Sequence, residues 1–213
     1  MLDLVYPAAG TFLYLTYPWS GPTFMTVHNF GLSLYSLWTF ISLSRAMWSP
    51  PVVYGTAYYM SDPWINQLIY FFYLSKYYEY FDTFILYAKG REPSFLQKFH
   101  HVGATVCWHL CWTYKVDAIL YATLANSFVH ALMYAYYGLT YYKINLGWLK
   151  PYLTGLQITQ FFSGYSALAL WYPVETPVNK ACIVLFLTYT AVLIGLFVHF
   201  SYETYYLKKL KQG

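Results

Sequence analysis

Long apolar stretches recur along almost the whole chain, and short polar breaks separate them. An α-helix needs about 20 consecutive apolar residues to cross the hydrocarbon core of a bilayer. Six stretches reach this length, and a seventh, shorter one lies at residues 2–17. It contains Pro7 and Gly10, so it either spans the membrane or lies at its interface. The sequence therefore predicts an all-α integral membrane protein with about seven transmembrane helices. Six of the predicted spans are residues 24–48, 64–88, 94–114, 117–137, 151–172 and 181–206.

The composition agrees with a lipid environment. Hydrophobic residues make up 59% of the chain and charged residues 9%, whereas a soluble domain carries about 25% charged residues. Aromatic residues reach 24%, more than interfacial belts need, so the surplus is predicted to line helix contacts or an internal cavity. The net charge of +4 is scattered, which argues against a nucleic-acid partner. No linker or repeat divides residues 1–213, so we predict one domain.

The distribution of lysine and arginine predicts the orientation in the membrane. Cytosolic loops carry an excess of these residues. If the chain has seven spans, the loops on one side of the membrane contain only three basic residues, Arg45, Lys115 and Lys180. The richer side is predicted to be cytosolic, and the C-terminus lies on that side. Its basic residues are Lys89, Arg91, Lys143, Lys150, Lys208, Lys209 and Lys211.

Charged residues interrupt the stretch at residues 64–88. Lys76, Glu79 and Asp82 recur at every third position, which places them on one face of a helix. Ionisable groups within a span indicate function by default, because their transfer into lipid is unfavourable. Two interpretations stay open: a salt-bridged face that holds helices together, or an acid at Asp82 that orients a catalytic imidazole or binds a ligand.

Histidines and amides cluster in the next two stretches. Gln97 precedes His100 and His101 by three and four residues, so all three share a helix face. Asn126 and His130 are one turn apart in the following stretch. Because only a short break separates the two stretches, they are predicted to be antiparallel neighbours in which His101 and His130 meet.

Three kinds of site fit this cluster. The six histidines are too few for the histidine-rich boxes of a membrane di-iron enzyme, and His28 and His109 are predicted to lie outside the cluster. A single zinc held by His100, His101 and His130 remains an alternative, as do structural hydrogen bonds between helices. The third interpretation is catalysis: burial keeps an imidazole neutral, and its free lone pair attacks a thioester to give an acyl-imidazole.

The cysteines favour packing over chemistry. Cys107, Cys111 and Cys182 lie in apolar stretches without paired spacing, which is not the pattern of a disulfide framework. The first two follow His100 by about two and three helical turns. That separation is typical of packing beneath a site.

Four motifs, taken in order and spacing, resemble the ELO family of very-long-chain fatty acid elongases. The first two are Lys76-x-x-Glu79-x-x-Asp82-Thr83 and Gln97-x-x-His100-His101. The other two are Asn126-Ser127-x-x-His130-x-x-Met133-Tyr134-x-Tyr136-Tyr137 and Thr154-x-x-Gln157.

The resemblance implies a fold and a reaction. It implies a seven-span protein of the endoplasmic reticulum membrane in which six helices form a barrel around an acyl tunnel. The implied reaction is condensation of acyl-CoA with malonyl-CoA to 3-ketoacyl-CoA, CO2 and CoA, without cofactor or metal. The implied partners are the ketoacyl reductase, dehydratase and enoyl reductase of the elongation cycle, and a homodimer is compatible with it. Two alternatives are a membrane transporter or proton path, and another acyl-CoA-dependent acyltransferase.

The resemblance also implies roles for individual residues. His100 is implied to accept the acyl group and His101 to transfer protons beside it, although which of the two histidines is the nucleophile stays open. His130 and Asn126 would donate hydrogen bonds to a developing enolate. The remaining residues implied to bind substrate or support the site are Lys76, Glu79, Asp82, Gln97, Met133, Tyr134, Tyr137 and Gln157.

Two local features refine these expectations. The family box begins with histidine, whereas this chain has Gln97, which forms hydrogen bonds but carries no proton at neutral pH. Gln97 is therefore expected to orient other groups, and its presence resembles protist and microalgal elongases of polyunsaturated chains. Lys209 and Lys211 resemble a dilysine retrieval signal, and equally a basic tail at anionic headgroups.

Overall fold

The computed structural model describes residues 21–48 and 57–207, and within them all regular structure is helical. The all-α prediction is thus confirmed for this part of the chain. The stretch at residues 2–17 and the lysines after residue 207 lie outside the described residues. The described part also contains short 3₁₀ turns at Gly147–Leu149 and Tyr172–Val174 and a π turn at Tyr202–Leu207. The helices are α1 (Pro22–Met47), α2 (Pro63–Tyr78), α3 (Tyr80–Ala88), α4 (Phe95–Thr113), α5 (Ile119–Tyr141), α6 (Lys150–Trp171) and α7 (Pro177–Ser201).

Local capping chemistry explains where several helices begin. The Asp62 side chain accepts a hydrogen bond from the Ile65 amide, and Ser94 does the same for Gln97. These side chains satisfy amides that have no partner within the helix. Proline follows the cap of α2, where its missing N–H is not needed. The predicted spans therefore begin within a few residues of the observed helices.

The second predicted span is not continuous. Glu79 separates α2 from α3, and the Asp82 amide bonds to the Glu79 carbonyl at 3.0 Å, a tighter i→i+3 pattern. The Glu79 carboxylate lies 2.7 Å from Nζ of Lys76, three residues earlier. The predicted span at residues 64–88 is therefore helical except for one tighter turn at Glu79, beside this buried ion pair.

The helices pack in an order that differs from their order in the sequence. Helix α1 lies along α5, which also packs against α6; α6 packs against α7, α7 against α4, α4 against α2, and α2 against α1. Contact between α4 and α5 is slight. The two helices predicted to be neighbours therefore do touch, but α4 packs mainly against α7 and α2.

An apolar core fills the end of the bundle that is opposite the Lys89–Pro93 turn. Its fully buried members include Leu43, Met60, Ile119 and Ile183. The three cysteines are buried in the same region without disulfide bonds, as predicted.

Asp117 closes this end of the bundle. Its carboxylate accepts hydrogen bonds from the amides of Tyr59 (3.2 Å) and Met60 (2.8 Å), which joins the turn before α2 to the turn before α5. Burial raises the pKa of this carboxyl, and the amide bonds partly oppose the shift.

Only part of the membrane prediction is supported by length and composition. Among the described residues, one helical segment, Pro177–Leu207, is long and apolar enough to cross a membrane. The other predicted spans fall short because α2 and α3 are brief and the remaining helices carry many tyrosines, tryptophans and amides.

Candidate active site

A cavity of about 710 Å³ occupies the other end of the bundle. Helix α1 and helices α3 to α7 all contribute to its wall. Every predicted site residue lines it except Lys76 and Glu79, which lie behind the wall. The predicted residues in the wall are Asp82, Gln97, His100, His101, Asn126, His130, Met133, Tyr134, Tyr137 and Gln157.

Three imidazoles come together in this cavity. The ring of His100 lies 5.4 Å from that of His101 and 6.4 Å from that of His130, measured between centroids. The ring that meets His130 is thus His100, whereas we had expected His101. Helix α4 turns the two adjacent histidines in different directions, so only one of them reaches toward α5.

His101 belongs to a group centred on Asp82. The Tyr134 hydroxyl donates to Oδ2 of Asp82 at 2.6 Å, and Nε2 of His101 lies 4.0 Å from the same oxygen. The other carboxylate oxygen is 2.7 Å from Nε2 of His28, which is fully buried. The prediction that His28 lies outside the cluster was wrong. It reaches the site because α1 packs along α5.

His130 belongs to a second group centred on Glu79. The carboxylate lies 3.4 Å from Nδ1 of His130, without the alignment of a hydrogen bond. Lys76 donates to Glu79 at 2.7 Å and to Oδ1 of Asn126 at 2.8 Å. Both members of this ion pair are 2% exposed. The salt-bridge interpretation of this helix face is confirmed, and the bridge also holds a cavity residue.

Lys76 fixes the orientation of the Asn126 amide. An ammonium group only donates, so the atom of Asn126 that faces it must be the carbonyl oxygen. The Nδ2 hydrogens therefore point away from Lys76, and no hydrogen bond between described residues uses them. Because Asn126 lines the cavity, these two donors are free to bind a ligand oxygen.

Two glutamines contact neighbours other than histidine. Nε2 of Gln97 lies 3.4 Å from Oγ1 of Thr83, so its observed partner is a hydroxyl on α3. Nε2 of Gln157 lies 3.2 Å from the sulfur of Met133. The expected contact of Gln97 with an imidazole is thus not among the described hydrogen bonds.

The rim of the cavity is basic. Lys89, Arg91 and Lys150 line it, together with Ser94. They come from the turn between α3 and α4 and from the start of α6. All three basic residues are exposed, so a negatively charged group at this part of the cavity would meet them.

A second, smaller cavity of about 30 Å³ lies next to His100. It shares His100, Asn126, Gln160 and Phe161 with the large cavity. Its other walls include Trp108, Leu168 and Phe186, which belong to the apolar core. This space holds about one water molecule, so aromatic side chains close the path beyond His100.

Sequence reasoning missed two contributors. His28 is a polar residue within an apolar stretch, but nothing in its local sequence connects it with Asp82. Tyr189 is one of 27 tyrosines, and its hydroxyl lies 3.1 Å from Nδ1 of His100. Neither contact has a sequence spacing that could have indicated it.

The described residues contain no group of three histidine, cysteine, aspartate or glutamate side chains that is arranged to hold a metal ion. The zinc alternative, with His100, His101 and His130 as ligands, therefore has no geometric support within residues 21–48 and 57–207.

Comparison with known proteins shows consistent similarity. The family described as GNS1/SUR4 (ELO) matches residues 11–213. "Very long chain fatty acid elongase 4" of Mus musculus is 32% identical over 221 residues, which cover 91% of this chain and 69% of that protein. The Homo sapiens protein of the same name is 32% identical over 219 residues with the same coverages. "Fatty acid elongase sre1" of Dictyostelium discoideum is 37% identical over 147 residues, which cover 64% of this chain and 53% of that protein.

Proposed function

The chain belongs to the ELO (GNS1/SUR4) family, and we propose that it is the condensing enzyme of fatty acid elongation, which joins an acyl-CoA to malonyl-CoA. One observation carries the proposal: His100, His101 and His130 meet in one cavity, and two of them have a carboxylate of their own. Such an arrangement suits a reaction in which one imidazole holds an acyl group while others handle protons.

The first half of the proposed reaction transfers the acyl group to His100. An imidazole nitrogen attacks the thioester carbonyl, a C–N bond forms, the C–S bond breaks, and the CoA thiolate takes up a proton. His101, close to Asp82, is suited to supply that proton as an imidazolium. The acylated His100 ring then loses its remaining N–H proton, which restores the His101 imidazolium. The product of this half is an acyl-imidazole and free CoA.

The second half uses malonyl-CoA. Its carboxylate leaves as CO2, and the electron pair of the broken C–C bond forms an enolate on the thioester. The free Nδ2 donors of Asn126 and the imidazole of His130 are suited to stabilise the enolate oxygen. The enolate carbon then attacks the acyl carbonyl, the C–N bond to His100 breaks, and the leaving imidazole takes up a proton from the His101 imidazolium, which is restored from solvent. The 3-ketoacyl-CoA then leaves.

The basic rim supports CoA as the carrier of both substrates. CoA carries several phosphate charges, and Lys89, Arg91 and Lys150 offer matching cations at the cavity entrance. The apolar remainder of the cavity suits a long acyl chain, because each buried CH₂ contributes about 0.8 kcal/mol. A polyunsaturated chain is the substrate that the Gln97 resemblance suggests.

The packing order also supports the proposed architecture. Helices α1, α5, α6, α7, α4 and α2 follow one another as neighbours, and the last returns to the first. We propose that they form a six-helix barrel in a seven-span protein of the endoplasmic reticulum membrane. The basic rim and the C-terminus would face the cytosol, where acyl-CoA and malonyl-CoA are available.

The distribution of polar groups favours an enzyme over a proton path or transporter. A proton path needs polar groups across the whole membrane thickness. In the described residues the histidine–carboxylate cluster stays at one end of the bundle. At the opposite end the core contains Leu43, Met60 and Ile183, and the buried Asp117 there accepts hydrogen bonds from backbone amides.

Expression in microsomes with labelled malonyl-CoA and a panel of acyl-CoAs tests the proposal. We expect labelled 3-ketoacyl-CoA that is absent from the His100→Ala variant. His109→Ala is the matched control, because this histidine lies on the same helix but is exposed and outside both cavities. Equal product from wild type and His100→Ala would contradict the proposal.

A further inference from the structure

Tyr189 makes two contacts with a single residue of the site. Its hydroxyl oxygen lies 3.1 Å from Nδ1 of His100 and 2.9 Å from the backbone carbonyl oxygen of His100. A carbonyl oxygen only accepts, so the hydroxyl hydrogen must be donated to it. The hydroxyl has no second hydrogen, and therefore Nδ1 must carry the proton of the neutral ring and donate to the hydroxyl oxygen.

We infer that Tyr189 is a positioning residue that holds His100 as the Nδ1–H tautomer, leaving Nε2 as the nitrogen with the free lone pair, an inference that rests on the proposed function. A neutral imidazole has one donor and one acceptor nitrogen, and the hydrogen bond at one nitrogen decides the role of the other. No hydrogen bond between described residues uses Nε2 of His100. The nucleophile of the first half-reaction is thus assigned to a particular atom.

The surroundings of Tyr189 are built to keep its hydroxyl in place. The side chain is 8% exposed, and its ring packs on Phe99 and Phe186 at centroid distances of 5.5 and 6.1 Å. A Cβ atom at Gly103 would lie 2.1 Å from Cε2 of Tyr189. Glycine one turn after His100 therefore gives the ring the space that it needs against α4.

The Tyr189→Phe variant removes the hydroxyl and retains the ring. We expect release of CoA from acyl-CoA alone to slow by about tenfold, the equivalent of one lost hydrogen bond, with only a small decrease in the thermal unfolding temperature. Tyr35→Phe is the matched control, since it removes the hydroxyl of a partly buried tyrosine on α1 that lines neither cavity. A wild-type rate in Tyr189→Phe would overturn the inference.

A methylated histidine separates a tautomer effect from a packing effect. Nδ-methylhistidine at position 100 has its lone pair at Nε2 permanently, and it needs no acceptor at Nδ1. In the chain that retains Tyr189, we expect this residue to slow the release of CoA, because the methyl group contacts the Tyr189 hydroxyl. In Tyr189→Phe, we expect it to restore the rate of CoA release. If it fails to restore that rate, the hydroxyl acts in some way other than fixing the tautomer, and the inference is wrong.

A measurement without acyl-CoA distinguishes this inference from the proposed function. Diethyl pyrocarbonate acylates an unprotonated imidazole nitrogen, and peptide mass analysis reports the extent at His100. We expect modification to be several-fold slower in Tyr189→Phe than in wild type and in Tyr35→Phe. Equal modification rates in all three proteins would overturn the tautomer assignment. If the wild type reacts with diethyl pyrocarbonate as expected but forms no acyl adduct with acyl-CoA, only the proposed mechanism is contradicted.

Discussion

The buried Lys76 gives the sharpest test of how the site is held. Lys76→Met keeps an unbranched side chain but removes the ammonium group that donates to Glu79 and Asn126. Glu79 would then be a buried carboxylate without its cation, and breaking one side of a buried pair costs about 3–5 kcal/mol of stability. The Asn126 amide would also lose the contact that fixes its orientation. Loss of one oriented donor to a developing oxyanion lowers the rate by about 10²–10³-fold.

A second variant separates these two effects. In a Glu79→Gln background no buried carboxylate remains to be compensated, so adding Lys76→Met should cost much less stability. The rate should still fall by about 10²-fold relative to Glu79→Gln alone, because Asn126 is free to turn. Thermal unfolding in detergent and condensation with labelled malonyl-CoA measure the two quantities. If Lys76→Met in that background leaves the rate unchanged, Lys76 serves only to neutralise Glu79, and the orienting role is refuted.

Three further predictions concern the walls of the two cavities. Phe186→Ala should shift products to longer chains by opening the small cavity beyond His100; an unchanged product length by gas chromatography would contradict this. Lys89→Gln should raise the KM for acyl-CoA several-fold with little change in kcat, whereas Lys180→Gln at the opposite end of the bundle should change neither. If both variants have the same KM for acyl-CoA, the basic rim does not bind CoA. Gln97→Ala should lower the condensation rate without abolishing it, since its amide contacts a hydroxyl rather than an imidazole. A loss as complete as that in His100→Ala would indicate a direct chemical role for the amide.

Periodicity and capping made much of the helical structure predictable. Apolar stretches separated by proline- and glycine-containing breaks mark most helix positions, and Asp62 and Ser94 mark two of the starts. The i, i+3 spacing of Lys76 and Glu79 correctly indicated an ion pair. These features are local, so a single sequence contains them.

The contacts that complete the site depend on which helices pack together. His28 reaches Asp82 across 54 positions, and Tyr189 reaches His100 across 89. Short connections suggested that helices adjacent in the sequence pack together, whereas α1 lies along α5 and α4 packs against α7. Nothing in the hydrophobic pattern of one helix specifies its distant partner, so these pairs were not predictable.

Intact-mass analysis after incubation with acyl-CoA alone tests the central claim most directly. The account predicts free CoA and a protein heavier by one acyl group, with no need for malonyl-CoA. The adduct should be absent from His100→Ala and present in His109→Ala, Cys107→Ala and Cys111→Ala. An adduct that persists in His100→Ala, and that disappears when either cysteine is changed, would contradict the acyl-imidazole and replace it with a thioester.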